Sequence, residues 1–302
     1  MKKYLVVIGG PTAIGKTAMG IRVANYFQTD IISADSRQFY RELSIGTAKP
    51  TNEELAMAKH HFVDSLSIHD PYSAGDFERD TLKFLSSFFK KQDIAVMVGG
   101  SGLFVRAVTK GLDEFPEVPD SLRVELNNRL KTEGKRILQE ELKEIDPETY
   151  QQMDIENSQR LVRALEICKT SGKPISFFRN QKKEERNFEV INIGLNTDRD
   201  FLYERINKRV DLMMQNGLLA EAKDNLCFSD LYALKTVGYQ ELFDYFDGNI
   251  SLEEAVELIK RNSRRFAKRQ ITWFKKEEGI EWFEPDALNE IITHVKCIVD
   301  RE

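Results

Sequence analysis

The chain has 302 residues, of which 31% are charged and 41% hydrophobic, and its formal net charge is −5. These values are typical of a folded globular protein and exclude intrinsically disordered and collagen-like chains. No stretch approaches the ~20 consecutive apolar residues of a membrane-spanning helix, and Met1 is followed almost directly by a strand rather than by a signal peptide. We therefore expect a cytoplasmic protein without a membrane anchor.

The first predicted element is the strand Tyr4–Gly9, an apolar run that leads directly into a glycine-rich turn. Residues 10–17 fit the pattern G-x-x-x-x-G-K-[ST], and a buried strand, a turn and a helix in this order form the setting of a phosphate-binding P-loop. Backbone N–H groups, the positive end of the helix and the Lys16 ammonium converge there on one anion, and the Thr17 hydroxyl can hold Mg²⁺. We predict a di- or triphosphate site at Gly10, Pro11, Thr12, Ala13, Ile14, Gly15, Lys16 and Thr17.

Later segments alternate between strand and helix signals. One helix is predicted from the P-loop to about Phe27, and a second begins after Ser73, which is typical of a helix N-cap, and runs to Lys91. Apolar runs bounded by turn or cap residues predict further strands at residues 30–34, 94–99 and 190–195. This alternation predicts an α/β fold, a P-loop NTPase-like core with a central parallel sheet flanked by helices.

The character of the sequence changes at Phe115. Pro116 and Pro119 open a segment of highly charged amphipathic helices without a convincing strand, and the segment ends in a polar run at residues 180–187. We predict an all-helical insertion domain at residues 115–189, within an α/β core domain formed by residues 1–114 and 190–302. The C-terminal third is predicted to be helical apart from a short strand-like run, Ile280–Phe283.

The three cysteines, Cys168, Cys227 and Cys297, are far apart in sequence. They form no C-x-x-C pair, so neither a disulfide framework nor a zinc module is indicated. We expect all three to be small buried hydrophobic residues.

A strongly basic segment, residues 260–276, contains eight basic residues and no acidic one. On a helix, six of them form two adjacent rows at i, i+4 spacing: Lys260, Arg264 and Lys268, and Arg261, Arg265 and Arg269. Like charges this close repel one another, so the segment requires anions nearby. Nucleic-acid phosphates are the predicted partner, and acidic residues of another element are the alternative.

The residues that follow the strands narrow the choice of P-loop chemistry. An ATPase or GTPase normally has a carboxylate at the end of a buried strand to hold Mg²⁺ through water, but Gly99 is followed by Gly100 and Ser101. Asp35, which follows the second strand, should lie at the ligand-binding edge of the sheet, where it can accept a proton or hold Mg²⁺. The alternative is that Asp35 and Ser36 cap the next helix. Because small-molecule kinases also pair a P-loop with such an aspartate, a kinase is the alternative function.

Blocks distributed over nearly the whole chain resemble, in order, the motifs of the tRNA dimethylallyltransferase family. They read GPTAIGKT at residues 10–17, SADSRQFY at 33–40, IGTAKP at 45–50, HHFVD at 60–64, YSAGDF at 72–77, VGGSGLF at 98–104, NSQRLVRALE at 157–166, VGY at 237–239 and AKRQITW at 267–273. This family transfers a dimethylallyl group to N6 of the adenosine on the 3′ side of the anticodon. The resemblance implies the same activity, with dimethylallyl diphosphate as the donor and Mg²⁺ as the cofactor.

The resemblance also implies roles for residues of the donor site. The P-loop would bind the diphosphate of the donor, with an added hydroxyl contact from Thr12. Backbone amides, Lys16 and Mg²⁺ on Thr17 would stabilise the departing pyrophosphate. Arg209, rather than Arg205, is expected to reach the diphosphate.

For the acceptor, the resemblance implies base flipping, because a stacked anticodon-loop base cannot reach the pocket. An adenine amine is a poor nucleophile that must lose a proton, so Asp35 is the candidate general base. Ser101 stands where the family usually has threonine, and it retains the hydroxyl near the reacting centre. The implied tRNA contacts are Asp35, Ser36, Arg37, Gln38, Ser101, Arg123, Gln159, Arg160, Leu161, Val162, Arg163, Lys268 and Arg269.

We expect the helical insertion to bind the anticodon stem and the basic segment to bind the RNA backbone. No feature of the sequence requires an oligomer, so we expect a monomer. Two further functions are alternatives: a non-catalytic RNA-binding protein with a vestigial P-loop, and a related transferase that uses ATP or AMP as acceptor. The intact donor loop with Asp35 argues against the first. The insertion and the basic segment argue against the second.

Overall fold

A computed structural model describes residues 2–179 and 185–300 of the chain. Part of the polar run predicted at residues 180–187 therefore lies outside the described residues. Six strands form one sheet in the order β3-β2-β4-β1-β5-β6, and every neighbouring pair is parallel. The strands are β1 (Tyr4–Gly9), β2 (Ile31–Ser33), β3 (His60–His61), β4 (Ile94–Gly99), β5 (Glu189–Leu195) and β6 (Ile280–Phe283). The predicted parallel α/β sheet is confirmed.

Strand β1 lies inside the sheet, paired with β4 on one side and β5 on the other. All six of its residues are buried, since successive side chains point to opposite faces of the sheet and helices cover both faces. Tyr4, Val6 and Ile8 pack on one face with the helices at residues 16–27, 199–215, 252–274 and 288–299. Leu5 and Val7 pack on the other face with the helices at residues 74–88 and 102–110. A strand that is buried on both faces has a continuous apolar sequence, and for this reason β1 could be predicted from the sequence alone.

The α/β part contains nine of the described helices. They are α1 (Lys16–Phe27), α2 (Asn52–Met57), α3 (Ala74–Phe88), α4 (Gly102–Lys110), α9 (Arg199–Gln215), α10 (Leu218–Asp224), α11 (Tyr239–Phe246), α12 (Leu252–Phe274) and α13 (Leu288–Val299). Helix α1 ends as predicted, and Ser73 is the N-cap of α3 through a capping box with Asp76. Helix α3 ends at Phe88, three residues before the predicted end.

Residues Gly111–Glu185 form a separate compact unit, and Met1–Lys110 with Arg186–Glu302 form the other. The smaller unit consists of α5 (Asp120–Thr132), α6 (Lys135–Ile145), α7 (Pro147–Gln152), α8 (Ser158–Ser171) and a 3₁₀ turn, Ile175–Phe178. Its core is aliphatic, with Leu126, Leu138, Leu142, Leu161 and Leu165 fully buried. Its described residues include no strand.

Two local expectations are wrong. Cys168 is buried as expected, but Cys227 and Cys297 are exposed. Cys227 lies in a short 3₁₀ turn without buried residues, and Cys297 lies on α13, which buries Ile291, Ile292 and Val295 instead.

None of the described helices is long and apolar enough to cross a membrane.

Candidate active site

The P-loop connects β1 to α1 at the carboxyl edge of the sheet. Gly10 has φ 147°, and a Cβ atom there would lie 2.7 Å from the Leu195 carbonyl oxygen, so only glycine fits. Helix α1 begins at Lys16, and its N-cap Gly15 supplies no capping side chain. The first N–H groups of α1 therefore remain directed toward an anion. Because the Ile14 side chain is fully buried, this residue can contact a ligand only through its backbone.

The Lys16 ammonium is held beside the loop, where its Nζ donates to the Pro11 carbonyl oxygen at 2.7 Å. The pKa of Lys16 is lowered to about 7, first by burial and then by the nearby Arg209 guanidinium, while the Asp35 carboxylate opposes the shift. Burial also lowers the pKa of Arg209, against the opposing effect of Asp35 and Glu54. Two close cations that both lose solvation constitute a site that a polyanion stabilises.

Helix α9 brings two arginines to this place, because residues four apart share a helix face. Arg205 Nε donates to the Ala13 carbonyl oxygen at 2.8 Å and so holds the P-loop backbone. Arg209 lines the space between the P-loop and Asp35. The structure therefore brings both arginines to the predicted anion site, with Arg205 attached to the loop itself.

Two cavities lie next to the P-loop. The larger, of about 550 Å³, is lined by Gly15, Lys16, Thr17, Arg205 and Lys208, and we call it the phosphate chamber. The smaller cavity, of about 350 Å³, has one apolar wall, and we call it the apolar chamber. The wall is formed by Ile206, Val210, Met213, Leu218, Val237 and Ile259. Both spaces share the lining residues Thr12, Ala13, Asp35, Thr47, Arg209 and Phe266.

Asp35 therefore stands at the junction of the two chambers. Its Oδ1 accepts a hydrogen bond from the Arg37 N–H at 2.9 Å, and residues 36–39 form turns rather than a helix. The alternative that Asp35 caps a helix is wrong. Ser101, which follows the neighbouring strand β4, holds the next residue: its Oγ accepts from the Ser36 N–H at 3.1 Å and donates to Ser36 Oγ at 3.3 Å.

The side-chain amide of Gln38, a predicted tRNA contact, is bound within the protein. Its Nε2 donates to the Thr47 and Ala48 carbonyl oxygens, and its Oε1 accepts from Ser33 Oγ. Gln38 lines the phosphate chamber while it holds the loop of residues 47–48.

Gln270, on α12, is a site residue that the sequence did not single out. Its Oε1 accepts from the Thr12 N–H at 2.8 Å, and its Nε2 donates to the Gly100 carbonyl oxygen at 2.9 Å. The side chain is buried, and a Cβ atom on Gly100 would lie 2.3 Å from its Nε2. Gln270 therefore joins the P-loop to the loop that carries Ser101.

Glu221 is a second site residue that was not predicted from the sequence. Its carboxylate accepts three backbone N–H bonds, from Ser44, Ile45 and Gly46, and a fourth bond from the Tyr239 hydroxyl at 2.6 Å. Burial and this carboxylate raise the pKa of Tyr239. The bonds hold the loop that carries Thr47 against the wall of the apolar chamber.

In the helical unit, two of the predicted tRNA contacts meet at one buried carboxylate. Glu166 accepts from Arg123 Nε at 2.9 Å and from an Arg163 NH group at 3.0 Å, and both arginine side chains are about half exposed. The side chains of Leu161 and Val162 are buried in the core of this unit, so the prediction that they contact tRNA is wrong for their side chains. Gln159 and Arg160 are exposed on the same helix.

The basic segment is part of α12 up to Phe274. Lys260 pairs with Asp211 and Glu257, so the alternative of acidic neighbours holds for this residue. Lys268 and Arg269 are exposed. Arg269 lines the apolar chamber, and its guanidinium lies 5.8 Å from the centre of the Phe266 ring.

No group of three or more His, Cys, Asp or Glu side chains that could hold a metal ion occurs among the described residues. The Thr17 hydroxyl and the Asp35 carboxylate line the phosphate chamber together. Because Mg²⁺ is usually bound by one or two protein oxygens together with phosphate and water oxygens, these two side chains fit Mg²⁺ that accompanies a diphosphate.

Several known proteins are similar to this chain in sequence and in fold. Residues 38–277 match the model of the IPP transferase family. The tRNA dimethylallyltransferases of Christiangramia forsetii and Flavobacterium johnsoniae are 56% and 50% identical to this chain, with 95% and 97% of each chain covered. The solved tRNA isopentenylpyrophosphate transferase of Bacillus halodurans has a TM-score of 0.73 at 36% identity and covers 99% of this chain and 96% of its own. A eukaryotic dimethylallyltransferase acting on tRNA shares the fold, with a TM-score of 0.80 at 23% identity over 95% of this chain and 75% of its own.

Proposed function

Since this chain belongs to the IPP transferase family, we propose that it transfers a dimethylallyl group from dimethylallyl diphosphate to N6 of the adenosine on the 3′ side of the anticodon in tRNA. The observation that carries the proposal is the position of Asp35, which lines both the phosphate chamber and the apolar chamber. We assign the diphosphate to the phosphate chamber, beside Lys16, and the unpaired base and the prenyl group to the apolar chamber, beside its apolar wall. The relatives are named as tRNA-modifying transferases, so they favour this function over a kinase.

The donor chemistry follows from the leaving group. An allylic C–O bond breaks readily once the negative charge that develops on the pyrophosphate is stabilised. We assign this stabilisation to the P-loop backbone N–H groups, Lys16 and Arg209, with Arg205 fixing the loop and Thr12 adding a hydroxyl. The Thr17 hydroxyl would hold Mg²⁺ together with the diphosphate, and the ion would supply further charge neutralisation.

The acceptor chemistry requires one proton transfer. As the N6 lone pair forms a bond to C1 of the donor, the C1–O bond breaks and pyrophosphate leaves with the electron pair. The N6 proton then passes to the Asp35 carboxylate, which the Arg37 N–H bond orients. Ser101 acts on this step through Ser36, since its hydroxyl holds that residue beside Asp35.

The acceptor RNA requires a wider surface than the chambers. We propose that Ser36, Arg37, Lys268 and Arg269 contact the flipped nucleotide and its phosphates, and that Arg123, Gln159, Arg160 and Arg163 of the helical unit contact the same RNA. Glu166 keeps two of these arginines in place. Dimethylallyl diphosphate as donor, a monomeric state and a cytoplasmic location belong to this proposal.

The test is the identity of the modified atom. Purified protein is incubated with an unmodified tRNA transcript, Mg²⁺ and dimethylallyl diphosphate, and the RNA is digested and examined by mass spectrometry. We expect one dimethylallyl group, on the adenosine next to the anticodon. A matched transcript with purine riboside at that position lacks the N6 amine and should remain unmodified; alkylation of this control would contradict the proposal.

The role of Gln270 leads to a separate prediction. Gln270→Met retains the volume of the side chain but removes the bonds to Thr12 and Gly100. Since a displacement of ~1 Å at a reacting centre costs roughly 10²-fold in rate, we expect kcat to fall by about this factor, while pyrophosphate binding changes little. The exposed Gln215, at the end of α9, provides the control variant Gln215→Met. Unchanged kcat in Gln270→Met would show that this link does not align the two loops.

A further inference from the structure

Tyr232 is a large aromatic side chain that is exposed at the edge of the site. Its side chain belongs to no buried cluster among the described residues, and 65% of its surface is accessible. The Arg37 guanidinium carbon lies 4.6 Å from the centre of the Tyr232 ring. Arg37 itself lines the apolar chamber beside Asp35 and Ser36, so the stacked pair stands next to the predicted general base.

The backbone holds this ring in place. Tyr232 begins a 3₁₀ turn whose next two residues, Ala233 and Leu234, are buried with Tyr239 in the cluster behind the apolar chamber. The residues that follow the turn, Lys235 and Thr236, line the apolar chamber. An exposed ring on an anchored turn is a fixed surface. Arg37, which stacks on the ring, and Lys235, which follows the turn, both line the apolar chamber, so the ring lies next to it.

We propose that the Arg37–Tyr232 pair is a stacking platform for an unpaired base of the acceptor RNA, the one adjacent to the adenosine that enters the apolar chamber. This inference rests on the proposed function. When a nucleotide is flipped, its neighbours lose a stacking partner, and aromatic rings and guanidinium planes are the groups on which proteins stack unpaired RNA bases.

The charges around Tyr232 favour a nucleic acid over an apolar peptide. Arg37 covers the ring, and Lys235 follows the same turn. This arrangement matches a base that is flanked by phosphates, because the Arg37–Tyr232 pair can stack on the base while the exposed Lys235 contacts its backbone.

The test compares three substitutions at one position. Tyr232→Phe retains the aromatic face, Tyr232→Leu retains apolar bulk without it, and Tyr232→Ala removes both. Because base stacking on an aromatic ring strengthens binding by roughly tenfold or more, we expect the KM for an anticodon stem-loop RNA to rise by about this factor in Tyr232→Leu and Tyr232→Ala. The KM for dimethylallyl diphosphate should stay unchanged, and Tyr232→Phe should resemble the wild type. Tyr26, which is 53% exposed at the far end of α1, provides the control Tyr26→Ala.

A second readout reports stacking directly. 2-Aminopurine, which stacking quenches, is placed at each position that flanks the target adenosine. In the wild-type and Tyr232→Phe complexes, one of the two probes should be quenched, and in the Tyr232→Leu complex it should be bright. If Tyr232→Leu and Tyr232→Ala bind and modify the RNA like the wild type, the platform is wrong although the proposed function stands. If the wild-type protein neither binds nor modifies the RNA, both are wrong.

Discussion

Asp35→Asn should abolish nearly all transfer while the protein still binds both substrates. A positioned general base contributes roughly 10²–10⁴-fold to the rate, and the asparagine amide cannot accept the N6 proton, so we expect kcat to fall by about that factor. The side chain keeps an oxygen that can accept the Arg37 N–H bond. Because Asp35 partly neutralises Lys16 and Arg209, its loss should leave pyrophosphate binding unchanged or tighter. Single-turnover transfer and calorimetric titration with pyrophosphate measure the two quantities.

The same strand offers a matched control. Asp30 precedes β2, at the opposite edge of the sheet, where it pairs with His61 and Lys59. Asp30→Asn should therefore transfer the dimethylallyl group at close to the wild-type rate. Equal loss of activity in the two variants would indicate damage to β2 rather than the loss of a base, and full activity of Asp35→Asn would remove Asp35 from the mechanism.

Lys16 should take up a proton when the diphosphate binds. The pKa of Lys16 is about 7 without a bound anion, so the side chain is protonated below that pH and mostly neutral above it. A bound diphosphate favours the charged form and raises this pKa. Above about pH 7 the apparent affinity for pyrophosphate should therefore fall by up to tenfold per pH unit. Titration calorimetry in buffers of different ionisation enthalpy should show proton uptake at about pH 8.5 that is nearly absent at about pH 6.

Lys16→Met separates this effect from the titration of pyrophosphate itself. The variant should lose both the proton uptake and nearly all transfer, since the ammonium stabilises the leaving group. Lys208 lines the same chamber but is exposed and pairs with Glu204, so Lys208→Met should keep the proton uptake. Uptake that persists in Lys16→Met would assign the titration to another group.

The features that the sequence predicted are those encoded by adjacent residues. The P-loop and β1 were evident because a strand buried on both faces and a glycine turn leave a continuous local pattern. The order of parallel strands then made it possible to expect Asp35 at the edge where the P-loop lies, and the lining of both chambers includes it. Strand β3 has only two residues, His60 and His61, so it carries no periodicity and was not predicted.

The links between loops could not be predicted, because their partners are far apart in the chain. Gln270 contacts the N–H of Thr12 across 258 positions, and Glu221 contacts that of Ser44 across 177. No local pattern connects such pairs. In the helical unit, the resemblance assigned a whole segment to tRNA binding, but the helix turns every ~3.6 residues and therefore directs Leu161 and Val162 into the core.

The most direct test asks which bond of which donor the site breaks. A tRNA transcript is incubated with the protein and Mg²⁺, in parallel with dimethylallyl diphosphate labelled in the dimethylallyl group and with ATP labelled in the γ-phosphate. We predict that dimethylallyl label enters the RNA together with an equal amount of released pyrophosphate, and that no γ-phosphate is transferred. Transfer of the γ-phosphate to any acceptor, with no dimethylallyl label in the RNA, would contradict the account.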